Sequence, residues 1–311
     1  MDERTTLVTG AAGFVGHHLL RRLRGRRLIG WHRPGRPAPA SPPGVVWRAV
    51  DLLDRDGVEA ALGIDTPGEV YHLAGAPQID TSWRNVVPHL QTNALGTYHL
   101  LEAIRRASLA CRTLVVTSAQ IYQSGDDPLD EDAPLVPPNP YGLSKLAQDQ
   151  LALRAVDEDG LDVVIARPFN HTGPGQKPAY AVPGFARQIA RIEAGLEPPT
   201  IAVGNLDTRR DITDVRDVIE AYVLMIASAP AGRPYNVCSG RAWRIGDLLE
   251  ELRHLARRPI EVAVDESRLR PNDIPVVQGD ATRIRSELGW SPHISVEQTL
   301  RDTLDWWRGQ R

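Results

Sequence analysis

The sequence predicts an α/β protein in which a doubly wound parallel sheet carries a smaller α/β lobe. In the first half, short continuous apolar runs alternate with segments of helical periodicity, a pattern typical of parallel strands covered by helices on both faces. After Arg167 the chain becomes rich in glycine and proline, in "FNHTGPGQKPAYAVP", and the alternation ends. We therefore predict a main domain of residues 1–168 and 211–238 and a lobe of residues 169–210 and 239–311.

The elements of the main domain follow one another in a regular order. "TTLVTG" is a predicted strand, and "GFVGHHLLRRLRG" is a helix that ends at Gly25. Next come the strands "RLIGWH" and "VVWRAVDL", the short helix "GVEAALG" and the strand "EVYHLAG". The long helices "HLQTNALGTYHLLEAIRRA" and "PYGLSKLAQDQLALRAVDEDG" then alternate with the strands "RTLVVTSA" and "LDVVIARP". Later we predict a helix near 184–195, a return to the sheet within 211–238, and helices at 246–257 and 294–308.

Composition narrows the class of protein. With 42% apolar residues, 24% charged residues and a net charge of −3, nothing indicates binding to nucleic acid or to an anionic membrane surface. No apolar run approaches the roughly 18 residues of a membrane-spanning helix. Cys111 and Cys238, in contexts typical of strands, do not form a disulfide framework. We expect a cytoplasmic protein without a metal site.

A glycine triplet marks the first turn. "TGAAGFVG" places Gly10, Gly13 and Gly16 between the first strand and the first helix, where glycine allows a tight turn and close approach of a pyrophosphate. A tight turn without a ligand is the alternative. Because the triplet follows the first strand of a βαβ series, it favours a Rossmann dinucleotide site.

The second strand predicts NADP(H) rather than NAD(H). His32 stands where an NAD enzyme usually keeps an acid for the ribose hydroxyls, and Arg33 and Arg36 follow it. Basic residues accommodate a 2′-phosphate that an acid would repel. The alternative is a solvated basic loop. At the end of the third strand, Asp51 could accept a hydrogen bond from the adenine amino group, or it could cap the next turn; Leu52 follows it.

Three residues suggest proton transfer. In "YGLSK", Tyr141 and Lys145 are helix neighbours whatever their role, but Ser118 ends a strand that opens onto the same crevice. A free phenol, with a pKa of about 10, is a poor base at neutral pH. We expect the neighbouring ammonium and the cofactor's charge to lower that pKa, so that Tyr141 exchanges a proton with a substrate oxygen while hydride moves. Ser118 would hydrogen-bond the same oxygen.

A family resemblance supports this interpretation over nearly the whole chain. The glycine triplet, "YHLAG", "TNALGTYHLLEA", "TSAQIY", "YGLSK" and "RPFNHTGPGQ" resemble, in this order, the extended short-chain dehydrogenases/reductases of the NAD-dependent epimerase/dehydratase family that act on nucleotide sugars. The resemblance implies the triad Ser118, Tyr141 and Lys145. The expected cofactor site comprises Gly10, Gly13, Phe14, Val15, Gly16, His32, Arg33, Arg36, Asp51, Leu52, Leu73, Ala74, Gly75, Asn93, Tyr141 and Lys145.

Motifs in the predicted lobe indicate which branch of this family the chain resembles. "RPFNHTGPGQ", "GNLDTRRDITDVRDVIEAY", "YNVCSG" and "RLRPNDIP" resemble the GDP-sugar branch, which contains GDP-6-deoxy-4-keto-mannose reductases and GDP-mannose 4,6-dehydratases. The implied residues for the pyrophosphate are Asn170, Arg210 and Arg270; for the nucleoside, Val182, Pro183, Gly204 and Asn205; and for the sugar, Trp83, Arg84, Asn85 and Gln120.

Simpler roles remain open for some of these residues. Arg210 could form a surface ion pair with Asp211. Trp83 could be a packing residue. His171 is better explained as a hydrogen-bonding loop residue than as a catalyst.

Three functions remain. The first is NADPH-dependent reduction of the C4 keto group of a nucleotide-linked, GDP-type 4-keto-6-deoxyhexose. The second is a 4,6-dehydratase or 4-epimerase, although Gln120 stands where dehydratases of this family usually carry an acid. The third is a non-catalytic NADP-binding regulator, which has no need of a proton relay. The resemblance also implies a homodimer through the helices 89–107 and 140–157.

We expect Arg33→Ala to weaken NADPH binding about ten- to a hundredfold, because a charge-assisted contact to the 2′-phosphate contributes roughly 1.5–3 kcal/mol. Titration of NADPH and NADH into both proteins measures this. Equal NADPH affinity would contradict the role of Arg33, and tighter NADH binding by the wild type would contradict the choice of cofactor.

Overall fold

The computed structural model describes residues 4–35, 37–39, 42–76, 83, 86–125, 127–269 and 273–310. Its centre is a seven-stranded parallel sheet in the order β10-β6-β5-β4-β1-β2-β3. These strands are β1 (Thr5–Thr9), β2 (Arg27–His32), β3 (Val45–Ala49), β4 (Glu69–His72), β5 (Arg112–Val116), β6 (Val163–Pro168) and β10 (Pro234–Val237). This sheet confirms the predicted doubly wound fold.

Helices cover both faces of the sheet. They are α1 (Phe14–Arg22), α2 (Arg55–Asp65), α3 (Val86–His89), α4 (Gly96–Arg106), α5 (Pro140–Asp157) and α7 (Val215–Ser228). Neighbouring residues of β1 show the two layers, because Val8 packs in the core that includes α1 and α7 while Leu7 packs in the core that includes α2 and α4. No helix in the described part of the chain is long and apolar enough to cross a membrane.

The lobe has two small sheets and its own core. β9 (Arg209–Asp214) pairs with β7 (Asn170–Thr172), β11 (Ala242–Arg244) and β13 (Val276–Val277), and β8 (Thr200–Val203) pairs with β12 (Glu261–Val264). Three helices pack around them: α6 (Ala181–Glu193), α8 (Ile245–His254) and α10 (Val296–Gly309). The short helix α9 is Thr282–Leu288.

Three local features differ from the sequence-based expectations. The helix expected at 89–107 contains a π-helical segment, Leu90–Leu95, between α3 and α4. The segment 211–238 returns to the central sheet only at β10, because β9 belongs to the small sheet. Part of the predicted lobe, including α9 and Trp290, packs into the core of the central sheet. Contacts with elements that are distant in the sequence decide the last two.

A buried ion pair joins the helix α5 to the sheet. Arg167 donates to both carboxylate oxygens of Asp149, at 3.0 and 2.8 Å, and both side chains are almost fully buried. The same guanidinium donates to the hydroxyl of Tyr122 and to the carbonyl oxygen of Glu131. Because a buried charge is stable only when its hydrogen-bonding groups are satisfied, this set of contacts holds α5 in one position on β6.

Candidate active site

The carboxyl ends of three neighbouring strands bring the predicted site residues to one edge of the sheet. β1 leads into Gly10, β4 into Ala74 and β5 into Ser118. These strands lie in the order β5-β4-β1, so the loops that follow them line a common crevice. Crevices at this edge are the usual ligand sites of open α/β sheets.

Close packing of α5 on the turn after β5 places Tyr141 beside Ser118. Asn139 caps α5 by accepting from the backbone N–H of Gly142 at 2.8 Å, and its Nδ2 donates to Gln120 Oε1 at 2.9 Å. A Cβ atom on Gly142 would collide with the carbonyl oxygen of Gln120. Glycine therefore permits this approach, and Ser118 lies close enough to the Tyr141 hydroxyl to lower its pKa in part.

Lys145 lies one turn further along α5 and is 5% exposed. Its Nζ donates to the carbonyl oxygen of Val116 at 2.9 Å and to Gln148 Oε1 at 2.7 Å. The same atom lies 5.9 Å from the centroid of the Tyr141 ring. Burial lowers the pKa of Lys145 to about 7. Ammonium and amine forms are therefore both populated near neutral pH.

The pKa of Tyr141 moves in the direction opposite to our expectation. Burial raises it to about 12, Ser118 lowers it only in part, and Tyr180 raises it. Desolvation of the phenolate is the largest cause of the shift, and Lys145 is not among its causes. Tyr141 is thus a protonated phenol at neutral pH, and this state suits a proton donor rather than a base.

The π-helical segment positions Asn93, which is completely buried. Its Oδ1 accepts from the backbone N–H of Ala76 at 2.7 Å, and its Nδ2 donates to the hydroxyl of Ser144 at 2.8 Å. Ser144 in turn donates to the carbonyl oxygen of Tyr141 at 2.7 Å. Asn93 therefore connects the loop after β4 to the first turn of α5. π segments often occur at functional sites for such local redirection of side chains.

The turn after β1 fits a pyrophosphate. Gly10 has a φ of +66°, and a Cβ atom there would lie 2.7 Å from the backbone nitrogen of Ala74. A Cβ atom on Gly16 would lie 2.6 Å from the carbonyl oxygen of Gly10. Gly13 is exposed and begins α1 without a side-chain cap. No side chain of the described residues therefore caps the N-terminal amides of α1, which leaves them available to a phosphate. Phe14 and Val15 are half-buried in the first turn of α1, and Leu73 and Ala74 are half-buried after β4.

Of the residues predicted to contact the adenosine end, His32 is half-buried and Arg33 is exposed. Nδ1 of His32 lies 3.2 Å from the carbonyl oxygen of Arg33. Arg36 lies outside the described residues. Asp51 accepts from the backbone N–H of Leu53 at 3.0 Å, as the capping alternative predicts, and Leu52 lies against Gly96 of α4.

The residues predicted to contact the substrate pyrophosphate are only partly described. Asn170 is exposed at the start of β7. Arg210 pairs with Asp273 at 2.9 Å and donates to the carbonyl oxygen of Ile274 at 2.7 Å, so its acidic partner is not Asp211. Arg270 lies outside the described residues.

The predicted nucleoside and sugar residues lie in different environments. The structure buries Val182 and Pro183 in the first turn of α6, where Val182 joins the core of the lobe. Gly204 packs against the backbone of Arg268, and Asn205 is exposed. Trp83 is 57% exposed and so does not fill a core. Gln120 is half-buried beside Asn139, whereas Arg84 and Asn85 lie outside the described residues.

Four residues around the triad were not found from the sequence: His89, Ser144, Gln148 and Tyr180. Ser144 and Gln148 had a signal, because each lies three residues from Tyr141 or Lys145 on the same helix. Tyr180 comes from the lobe and could be placed only by the fold. His171 contacts the carbonyl oxygen of Phe169 through Nδ1 at 3.1 Å, as a hydrogen-bonding loop residue would.

Comparisons with known proteins match nearly the whole chain. The family model described as GDP-mannose 4,6 dehydratase matches residues 7–303. GDP-6-deoxy-D-mannose reductase of Pseudomonas aeruginosa is 36% identical over 306 residues, which cover 97% of each protein. The structure of RMD from Pseudomonas aeruginosa complexed with NADPH is 35% identical, with a TM-score of 0.87 over 99% of this chain and 100% of that one. A Thermus thermophilus UDP-glucose 4-epimerase in complex with NAD is 28% identical, with a TM-score of 0.86 over 99% and 100% of the two chains.

The lowered pKa of Lys145 predicts a pH dependence of stability. Between about pH 7 and the ordinary lysine pKa of about 10.4, the unfolded chain holds a proton that the folded chain has released, so the free energy of unfolding rises with pH in this window. The slope from this group is at most about 1.4 kcal/mol per pH unit, and Lys145→Met should remove it. Urea unfolding of both proteins at pH 7 and pH 9 measures the difference. Parallel pH dependences in the two proteins would contradict the assigned pKa.

Proposed function

Since this chain belongs to the GDP-mannose 4,6-dehydratase family of extended short-chain dehydrogenases/reductases, we propose that it reduces the C4 keto group of a GDP-linked 4-keto-6-deoxyhexose with NADPH. In the reaction, a hydride adds to C4 and a proton adds to the C4 oxygen, so that the ketone becomes a secondary alcohol. NADPH supplies the hydride when it is bound. The residues of the chain bind and orient both reactants and supply the proton.

The observation that carries the proposal is the environment of the Tyr141 hydroxyl. Its pKa responds to burial, to Ser118 and to Tyr180, and no carboxylate of the described residues contributes. A dehydratase needs a group that removes a carbon-bound proton and helps a hydroxyl leave as water. Gln120, the residue at the corresponding position, is an amide, which cannot accept such a proton at neutral pH. The site therefore supports single proton donation.

Each triad residue has a distinct task in this reduction. Tyr141 donates its phenolic proton to the C4 oxygen. Ser118 hydrogen-bonds the same oxygen and orients it. Lys145 keeps positive charge beside the phenol as the proton leaves, and the N–H that does not donate to Val116 or Gln148 remains for the ribose of the cofactor.

An assay with two substrates tests the proposed reaction. We expect loss of NADPH absorbance in proportion to the GDP-4-keto-6-deoxyhexose added, and no 4-keto product from GDP-mannose alone. Tyr141→Phe keeps the ring and removes the proton, so turnover should fall by about 10²-fold or more with the fold intact. A 4-keto product from GDP-mannose without NADPH loss would assign the chain to the dehydratases. Near-normal turnover by Tyr141→Phe would refute its role as the donor.

We also propose that the protein is a cytoplasmic homodimer. Both cysteines are free and buried, which suits a reducing compartment. Three apolar side chains are exposed along the helix formed by α3, the π-helical segment and α4. They are Val87 at 57%, Leu95 at 41% and Tyr98 at 40%. Such a row on a helix that packs on α5 suits a helical interface between two copies.

Light scattering after gel filtration should give twice the chain mass of 34.2 kDa. Tyr98→Glu should shift the protein toward the monomer, because it places a charge within the interface. Leu196→Glu is the matched control, since Leu196 is 64% exposed in the turn after α6, in the lobe. A wild-type monomer, or equal masses for the two variants, would refute the interface.

A further inference from the structure

Gln148 connects Lys145 to the interior of the main domain. It is completely buried on α5, and its two amide atoms have different partners. Its Oε1 accepts from Lys145 Nζ at 2.7 Å, and its Nε2 donates to Thr97 Oγ1 of α4 at 2.9 Å. The amide thus bridges the predicted catalytic lysine and a neighbouring helix.

The hydrogen bonds continue from Thr97 to the loop after β4. His72 lies between two hydroxyls, with Nε2 2.8 Å from Thr97 Oγ1 and Nδ1 2.7 Å from Thr9 Oγ1. The backbone N–H of Ala74 donates to Thr9 Oγ1 at 3.2 Å. A continuous buried chain therefore runs from Lys145 to the backbone beside Gly10.

Donor and acceptor roles along this chain follow from the number of available protons. Thr97 donates its hydroxyl proton to the carbonyl oxygen of Asn93 at 2.6 Å, so its oxygen accepts from both Gln148 and His72. His72 then carries its proton on Nε2, and its Nδ1 accepts from Thr9. Burial, aided by the charge of Lys145, lowers the pKa of His72 to about 3, which keeps the ring neutral.

These roles prevent the Gln148 amide from turning over. If it were reversed, its oxygen would face Thr97 Oγ1, whose single proton is donated elsewhere, and its NH₂ group would face the N–H donors of Lys145. Both contacts would bring like groups together. Gln148 therefore presents an oxygen to Lys145 as long as Thr97 and His72 remain in place.

No carboxylate in the described part of the chain accepts a hydrogen bond from Lys145. Burial is the cause of its lowered pKa, and its Nζ forms no ion pair with a carboxylate of the described residues. Two titratable groups interact with Lys145 itself: Tyr141 on the same helix and His72 on β4. Two more lie around Tyr141, namely Tyr222 of α7 and His89 of α3. The carboxylate of Asp149 on the same helix is paired with Arg167. Two neutral oxygens, from Val116 and Gln148, are thus the acceptors of its ammonium.

We propose that Gln148 is a positioning residue that keeps the Lys145 ammonium protonated and fixed beside Tyr141, where it would also be available to a bound cofactor, with its own amide locked by the chain through Thr97, His72 and Thr9. A hydrogen bond to the charged form of a group favours that form. Gln148 thereby opposes the effect of burial. The inference rests on the proposed function only in treating Lys145 as catalytic.

The sequence allows a direct measurement without substrate, because it contains only two lysines, Lys145 and Lys177. In protein labelled with ¹³C-lysine, the two side-chain signals can be assigned with Lys177→Arg and followed by NMR as the pH changes. Gln148→Leu should lower the pKa of Lys145 by about one unit, since it removes an acceptor. Gln148→Glu should raise it by about one unit or more, since it adds a negative charge.

Shifts in opposite directions support the proposal, because a purely structural role would not produce them. A Lys145 pKa equal to that of the wild type in both variants would overturn it. If Gln148→Leu does not fold, Gln148→Glu decides alone: a raised pKa supports the proposal and an unchanged one overturns it. Gln188→Leu is the control, since Gln188 of α6 forms similar amide contacts with Ala202 in the lobe. It should leave the pKa unchanged.

The pH profile of turnover with the keto sugar gives a second measurement. Loss of activity at alkaline pH should begin about one unit lower in Gln148→Leu and higher in Gln148→Glu than in the wild type. Absence of turnover in all three proteins, with the expected NMR shifts, would refute the proposed reaction and leave the role of Gln148 intact. Unshifted NMR titration curves in active variants would refute the role of Gln148 and leave the proposed reaction intact.

Discussion

Burial of one lysine, with no counter-ion among the described residues, is the constraint on which the rest of the site depends. An ammonium group loses several kcal/mol of hydration on burial unless protein groups satisfy its N–H donors. For Lys145 these groups are a backbone carbonyl of β5 and an amide on α5 itself, so the helix must lie within hydrogen-bonding distance of the strand. The Arg167–Asp149 pair, the Asn139 cap and the absence of a side chain at Gly142 all hold α5 at that distance.

Most of the fold could be predicted from the sequence because its signals are local. Alternating apolar runs indicate the parallel sheet, and the glycine triplet indicates the turn into α1. Residues at strand ends and at i, i+4 spacing on a helix are brought together by any sheet of this type, which is why the structure places Ser118, Tyr141 and Lys145 in one crevice. The roles of these residues remain predictions.

Features that depend on distant contacts could not be predicted. The buried hydrogen-bond chain joins His72 to Thr9, 63 positions earlier, and to Thr97, 25 positions later. The direction of the shift in the Tyr141 pKa depends on how completely the lobe and the helices exclude water, and composition does not reveal this. The pairing of β9 with the small sheet follows from contacts with strands earlier and later in the chain. Such pairings leave no mark within β9 itself.

The π-helical segment has a consequence for the kinds of sequence change that the site tolerates. Each residue of an α-helix turns the chain by about 100°. An extra residue in one turn therefore rotates the helical residues before it relative to the helical residues after it. Deleting a single residue between Leu90 and Leu95 would restore the regular helix and rotate His89 away from Tyr141 relative to α4. Substitutions in this segment change one side chain at a time, whereas a one-residue deletion would separate the parts of the crevice from each other. We therefore expect the site to tolerate a one-residue insertion or deletion here less well than most single substitutions.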